Sequence, residues 1–192
     1  MSWDAHILAG GRARRLDGRD KSSLVVGNRR ILDWQLAALR GQAARIVIVG
    51  GPPRVDDVGV EVIPDRLPGV GALGGLYTAL ASAMAERTLV LACDMPFVTG
   101  AFLEYLARCS IGYDAAVPRD RRGLHPLCAV YARSVAPLIR RSIDEGVRKV
   151  RDAIDPLRIR VIDGAALEAF DPAGRLLENV NTPDDYARAR RG

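Results

Sequence analysis

The chain has 192 residues, 48% hydrophobic and 27% charged, enough for one substantial core and too few for two full domains, so residues 1–192 are read as a single domain. A net charge of +5 suits anionic partners, yet only 5% of residues are aromatic and no basic stretch alternates with stacking rings, which disfavours a single-strand nucleic-acid surface. No apolar run approaches the ~20 residues of a membrane span, the N-terminus lacks a signal pattern, and Cys93, Cys109 and Cys128 form no Cys-x-x-Cys pair, so a reducing, cytoplasmic setting is expected and, with His6 and His125 the only histidines, a zinc site is not.

Short β-branched runs alternate with segments of helical period, the pattern of an α/β protein with a mostly parallel sheet. Ala5 to Leu8 is the first predicted strand. The spacing of Ile31, Leu32, Leu36 and Leu39 predicts a helix over 31–40, and Ile46 to Val49 a central strand that Gly50-Gly51-Pro52-Pro53 ends sharply. Strands follow at 60–63 and 88–92, separated by a helix over 73–84. A helix over 101–108 leads to a strand at 115–117 that Pro118 is expected to stop, then a strand at 127–131. The helix over 135–145 has Gly146 at its end, and 158–162 alternates as an outer strand would. Thr182-Pro183-Asp184-Asp185 opens the last helix: a threonine cap, a proline in the first turn, and acids against the positive end of the dipole.

In open α/β sheets ligands bind beyond the carboxyl ends of the strands, so the residues there carry the functional reading. Leu8-Ala9-Gly10-Gly11 leaves the first strand, followed closely by Arg12, Arg14, Arg15, Arg19 and Lys21. Glycines admit a ligand close to the backbone and cations neutralise phosphate oxygens, so this reads as a polyphosphate grip. A solvated basic loop is the other reading. The loop is not a Walker A motif, because Gly11 and Gly18 are too far apart and Lys21 does not adjoin Gly18. Gly50 follows the second strand, Asp65 the third and Cys93-Asp94-Met95-Pro96 the fourth. An aspartate placed like Asp94 commonly holds Mg2+ completed by substrate phosphates and water, a reading favoured over a cap on the helix near Thr99. Asp65 either accepts hydrogen bonds from a base or sugar, or fixes the turn before Pro68-Gly69. Gly69, Gly71, Gly74 and Gly75 enter the next helix, whose N-terminal N–H groups could receive an anion or a base edge.

These residues, in this order, resemble the molybdenum cofactor guanylyltransferases, the MobA family of the Rossmann-like nucleotidyltransferases. The resemblance spans nearly the whole chain: Leu8-Ala9-Gly10-Gly11 with Arg15 and Asp20-Lys21; Asp65; Gly69 through Gly75; Cys93-Asp94-Met95-Pro96; His125-Pro126; Gly146 with Val147-Arg148-Lys149; and Asn179-Val180-Asn181-Thr182-Pro183. It implies a Rossmann-like three-layer sandwich of the nucleotidyltransferase type, with the nucleotide on the N-terminal half and the acceptor on the C-terminal half. It also implies transfer of GMP from GTP to the terminal phosphate of molybdopterin, giving the guanine dinucleotide cofactor and pyrophosphate, with docking to molybdoenzyme maturation factors. By the family pattern Leu8, Ala9, Gly10, Lys21, Gly50 and Asp65 contact the nucleotide and Asp94 binds Mg2+. Gly11, Gly71 and Gly75 join the nucleotide set from their own sequence context. Leu-Ala-Gly-Gly resembles the guanylyl branch, whereas cytidylyl relatives tend to show Leu-Ala-Ala-Gly. Leu16-Asp17 replaces a usual Met-Gly, Ala72 a usual proline, and Lys149 stands where arginine is common.

A terminal phosphate has a second pKa of about 6, so as acceptor it is largely dianionic at neutral pH and needs no general base. Catalysis then consists of in-line positioning and stabilisation of the leaving pyrophosphate, assigned to Arg15, Lys21 and Mg2+ on Asp94. Lys21 could instead be a surface lysine paired with Asp20. Arg148 and Lys149 are the cations singled out for the acceptor. Asn179 and Asn181, two apart on one side of an extended segment, reach pterin, nucleotide or metal, or else make the turn before the last helix. His125 is read as a strand-start residue near the pocket rather than a metal ligand. The alternatives are a nucleotidyltransferase for a sugar phosphate, a phospholactate-like acid or a cytidylyl acceptor, and a non-catalytic nucleotide-binding or partner-docking module.

Overall fold

The computed structural model describes residues 2–9, 24–51 and 60–190. In chain order these form β1 (Asp4–Leu8), the hairpin β2 (Val25–Val26) and β3 (Arg29–Arg30), α1 (Ile31–Leu39), β4 (Arg45–Val49), β5 (Glu61–Ile63), α2 (Ala72–Ser82), β6 (Arg87–Ala92) and α3 (Gly100–Cys109). Then come β7 (Ala115–Asp120), β8 (Gly123–Leu124), β9 (Cys128–Ala132), α4 (Ala136–Asp144), α5 (Val150–Ile154), β10 (Ile159–Ile162), α6 (Gly164–Glu168) and α7 (Pro183–Arg190). The main sheet runs β10-β7-β9-β6-β1-β4-β5, with β8 hydrogen-bonded to β7. Every pairing along this path is parallel except those of β9, which runs antiparallel to both β6 and β7.

Alternation along the strands divides two cores. Ala5 and Ile7, Leu89 and Leu91, and Cys128 and Val130 face α1 and α3, whose Leu32, Leu36, Phe102 and Leu106 are buried there. Val90, Ala129 and Tyr131 face the other way, against Leu73 and Leu76 of α2 and Ile139 of α4. The result is the expected three-layer α/β sandwich. A third, smaller core joins Leu24, Val26 and Ile31 to Val180 and Ala189, so α7 closes over the β2-β3 hairpin, which had no strand signal in the sequence.

Pro118 does not stop its strand. β7 continues to Asp120, with Pro118 opposite Ile162 of β10. The proline carbonyl accepts from His125 N on the other side, so its missing N–H falls beyond Ala116, where pairing with β9 has already ended, and no ladder bond is lost. The start of α7 is as expected: Thr182 Oγ1 accepts from Asp185 N (3.1 Å) and Asp185 Oδ2 accepts from Thr182 N (2.9 Å), a reciprocal capping box. Gly146, at φ 89°, ends α4 by donating to the Ile143 carbonyl.

Two of the glycines entering α2 are needed for close packing. A Cβ on Gly74 would lie 2.7 Å from the Leu67 carbonyl oxygen, and one on Gly75 would lie 3.2 Å from Leu8 Cδ1. The first neighbour is backbone and the second a side-chain tip. Gly74→Ala is therefore expected to destabilise the fold by about 1 kcal/mol or more despite the better helix propensity of alanine, and Gly75→Ala by less, read as shifts in denaturation midpoint.

His6 is fully buried in the central strand β1. Ser82 Oγ donates to the Thr78 carbonyl, so His6 Nε2–H is the donor to Ser82 Oγ at 3.1 Å, and Nδ1 has no hydrogen-bond partner among the described residues. Burial outweighs the nearby Asp4 carboxylate and pushes the imidazole down to about 4 from its ordinary 6.5. In that interval the unfolded chain takes up a proton that the folded chain refuses, so stability present above pH 6.5 is lost as the pH falls toward 4. Thermal melts between pH 7 and pH 4.5 are expected to show this decline, and His6→Leu to flatten it.

Candidate active site

The register of the sheet makes three strand ends level. Leu8 pairs with Val49 on one side and Ala92 on the other, so Ala9, Gly50-Gly51 and Cys93-Asp94 leave adjacent strands at one edge. Ala9 N donates to the Val49 carbonyl (2.9 Å) and Cys93 N to the Leu8 carbonyl (3.2 Å), extending the ladder one residue past the strands. Gly50 and Gly51 have φ of 74° and 84°, a conformation that glycine adopts without the steric penalty of a side chain, and turn the chain away directly beside Ala9. Because β9 is antiparallel, its beginning lies at this same edge and brings His125-Pro126 there.

Asp94 is buried, 7% exposed. Its Oδ1 accepts from Asn179 Nδ2 at 3.0 Å, and its main-chain carbonyl accepts from Val180 N at 2.8 Å. The helix that might have used it as a cap is capped instead by Thr99, whose Oγ1 accepts from Phe102 N. Val180 also packs with Leu24, where the described chain resumes three residues after Lys21. Gly10, Gly11, Arg15 and Lys21, with Asp17, lie outside the described residues.

Asp65 has a structural task. Its Oδ1 accepts from Thr78 Oγ1 (2.7 Å) and Leu67 N (3.0 Å), and Thr78 Oγ1 in turn accepts from Arg66 N (3.0 Å), which fixes the turn into α2. Gly71 is the exposed N-cap residue of α2 at φ 73°, while Gly75 is buried beneath Leu8.

The acceptor candidates separate. Asn179 is joined to Asp94. Asn181 is exposed, and its N–H donates to Asp185 Oδ2 (3.1 Å) as part of the start of α7. Arg148 Nη1 donates to the Ile143 (3.2 Å) and Val147 (2.9 Å) carbonyls, capping the end of α4, and Lys149 is exposed at the N-cap of α5.

On the other flank of the edge, Asp120 binds Arg122 through its N–H (2.8 Å) and Nε (2.9 Å), and His125 Nε2 lies 2.9 Å from Asp120 Oδ1, oblique to the line of a good hydrogen bond. Burial raises the Asp120 carboxyl, but the adjoining His125 ring and the hydrogen bonds from Arg122 outweigh it and hold it at about 2. Arg122 Nη2 reaches on to the Leu177 carbonyl (3.0 Å), tying the β7-β8 turn to the segment that ends at Asn179. A cavity of about 810 Å³ opens here, walled by Arg121, Arg122, Asp163, Glu168 and Glu178.

The sequence profile of the MobA-like NTP transferase domain matches residues 5–158. The chain belongs to this family. A protein of Pelotomaculum thermopropionicum named "Probable molybdenum cofactor guanylyltransferase" is 37% identical over 188 residues, covering 96% of this chain and 90% of its own. The molybdenum cofactor guanylyltransferase of Desulfosudis oleivorans is 31% identical over 95% of this chain and 92% of its own. Among solved structures, the molybdopterin-guanine dinucleotide biosynthesis protein A of Archaeoglobus fulgidus is 30% identical and superposes with a TM-score of 0.83 over 98% of this chain and 97% of that one. The 2-C-methyl-D-erythritol 4-phosphate cytidylyltransferase of Thermus thermophilus shares the fold at 17% identity, with a TM-score of 0.75.

In this MobA-like chain two contributors were not singled out from the sequence. Arg122 is one of many arginines, and only the tertiary structure joins it to Asp120 and Leu177. Gln35 sits within the apolar stripe of α1, where a polar residue was itself a signal. Asn179→Ala removes the amide donor to Asp94; turnover is expected to fall about ten- to a hundredfold, with a melting temperature close to wild type, in a pyrophosphate-release assay.

Proposed function

We propose that this MobA-like nucleotidyltransferase moves GMP from GTP to the terminal phosphate of molybdopterin, releasing pyrophosphate. One observation carries the reading: the level ends of β4, β1 and β6 set Gly50-Gly51, Leu8-Ala9 and Asp94 with Asn179 side by side, the sites that a bound nucleoside triphosphate would span. The names of the full-length relatives supply the guanylyl and molybdopterin specificity.

Leu8, Ala9 and Gly50 would present backbone to the nucleotide, and the exposed N-terminus of α2 at Gly71 would offer unpaired N–H groups to its anionic or carbonyl edges. Gly10, Gly11, Arg15 and Lys21 complete the phosphate grip in this proposal. Asp65 would act through the turn it holds, and Gly75 by letting α2 sit against Leu8. Asp94 fits Mg2+: it is a buried carboxylate at the strand edge, beside a neutral amide. One carboxylate suffices for an ion that keeps several waters and completes its shell with substrate phosphates. When bound, the ion would neutralise charge on the phosphates.

The acceptor phosphate is already a dianion near neutral pH, so no residue need remove its proton. What the chain supplies is alignment of two anions that repel each other and cations for the departing pyrophosphate. Asn179 is placed to orient Asp94. Asn181, Arg148 and Lys149 would act on the acceptor, with Arg148 released from its helix-capping bonds. Maturation factors of molybdoenzymes are the proposed recipients of the product. Among the described residues no helix is long and apolar enough to cross a membrane, and a cytoplasmic setting is proposed.

The test is incubation with each nucleoside triphosphate, Mg2+ and molybdopterin, followed by pyrophosphate release. GTP-dependent release is expected, and Lys21→Ala should lower it by orders of magnitude without unfolding the protein. Release with CTP and not GTP would overturn the guanylyl assignment, and GTP binding without release would favour a non-catalytic module.

A further inference from the structure

Gln35 is buried completely on the sheet-facing side of α1, in line with Leu32, Leu36 and Leu39. Its Nε2 donates to two main-chain carbonyls, Ala92 at 2.7 Å and Met95 at 3.1 Å. Both partners are acceptors, which settles the orientation of the amide and leaves Oε1 buried with no donor among the described residues. A leucine here would complete the apolar stripe and avoid that unpaired oxygen, so packing alone gives no reason for an amide.

The two carbonyls that Gln35 holds bracket Cys93 and Asp94. Other ties on this turn come from elsewhere: Ala92 N donates to the Leu127 carbonyl (2.7 Å), Cys93 N to the Leu8 carbonyl (3.2 Å), and Val180 N to the Asp94 carbonyl (2.8 Å). Gln35 alone among these spans both ends of the turn, and it reaches them from a helix that is rigidly seated in the core. A turn fixed at its two ends gives the Asp94 carboxylate one direction, which matters for an octahedral ion that tolerates little error in ligand placement.

We propose that Gln35 is a positioning residue that clamps the Ala92–Met95 turn and thereby aims Asp94 at the divalent cation accompanying the nucleotide. The inference rests on the reading of Asp94 as the carboxylate that holds the metal. It acts through Asp94 and touches no substrate. A side chain of similar volume keeps the packing and removes the donor, so a modest loss of stability from the Ala92 and Met95 carbonyls accompanies the loss of metal affinity and turnover.

The test uses the full chain with Mn2+ as a paramagnetic probe, titrated in the presence of GTP and read by electron paramagnetic resonance, alongside Mg2+-dependent turnover and a thermal melt. Gln35→Met is expected to stay folded with a melting temperature lowered by only a few degrees, to bind GTP without metal as wild type does, and to lose about tenfold or more in both Mn2+ affinity and turnover. Gln35→Leu supplies a second measurement with a different shape. Wild-type Mn2+ affinity in both variants, with loss in Asp94→Asn, overturns the role of Gln35 alone. Wild-type affinity in Asp94→Asn as well overturns the metal reading and this inference with it. Failure of both Gln35 variants to fold would make the residue a structural one and also overturn the proposal.

Discussion

Everything at the active edge depends on the parallel register of β1 with β4 and β6. Leu8 stands opposite both Val49 and Ala92, so three chain segments leave the sheet at one height and one strand spacing apart. Parallel strands cannot be joined by tight turns; α1 lies on the way from β1 to β4 and α2 on the way from β5 to β6, and helices cover both faces and leave the edge as the place for a ligand. The extra bonds from Ala9 and Cys93 carry the ladder slightly beyond the strands and bring the departing backbones close together.

Onto this edge the structure ties two distant parts of the chain. Asp94 holds the segment at Asn179 and Val180, and that segment is packed against Leu24, just after the basic loop. Arg122 ties the same segment, at Leu177, to the β7-β8 turn. Residues from the first, middle and last parts of the sequence therefore meet within a few hydrogen bonds. Their mutual dependence explains why a MobA-like chain carries its characteristic short motifs so far apart.

Burial of polar groups marks where the fold is constrained. His6 is kept neutral by the core around β1, and Asp120 is kept ionised by His125 and Arg122. The first lies within the scaffold, and the second braces the flank of the edge beside the cavity. Gln35 and Asp65 do similar work with amide and carboxylate: each fixes a turn through carbonyls or N–H groups that regular secondary structure leaves unpaired.

The α/β order, the strand cores, the Thr182 cap and the positions of Asp94 and the glycine clusters were legible in the residue pattern, because periodicity, capping and turn chemistry are local. Pro118 misled because its cost depends on which neighbouring strand needs its N–H, and that is a property of the sheet. The turn-fixing bonds of Asp65 were not legible locally, because Thr78, well inside α2, supplies one of them. Arg148 reads in the sequence only as a cation for an anion, and its further bond to the end of α4 is visible only in the structure. The short hairpin at 25–30 and the helices α5 and α6 lacked enough length for a periodic signal. By itself, then, the sequence determined the fold class and the chemical types gathered at the edge. Only the tertiary structure decided which side chains hold one another, since hydrogen bonds such as Asn179 to Asp94 and Gln35 to Ala92 join residues tens of positions apart, whose approach is set by strand order and helix packing.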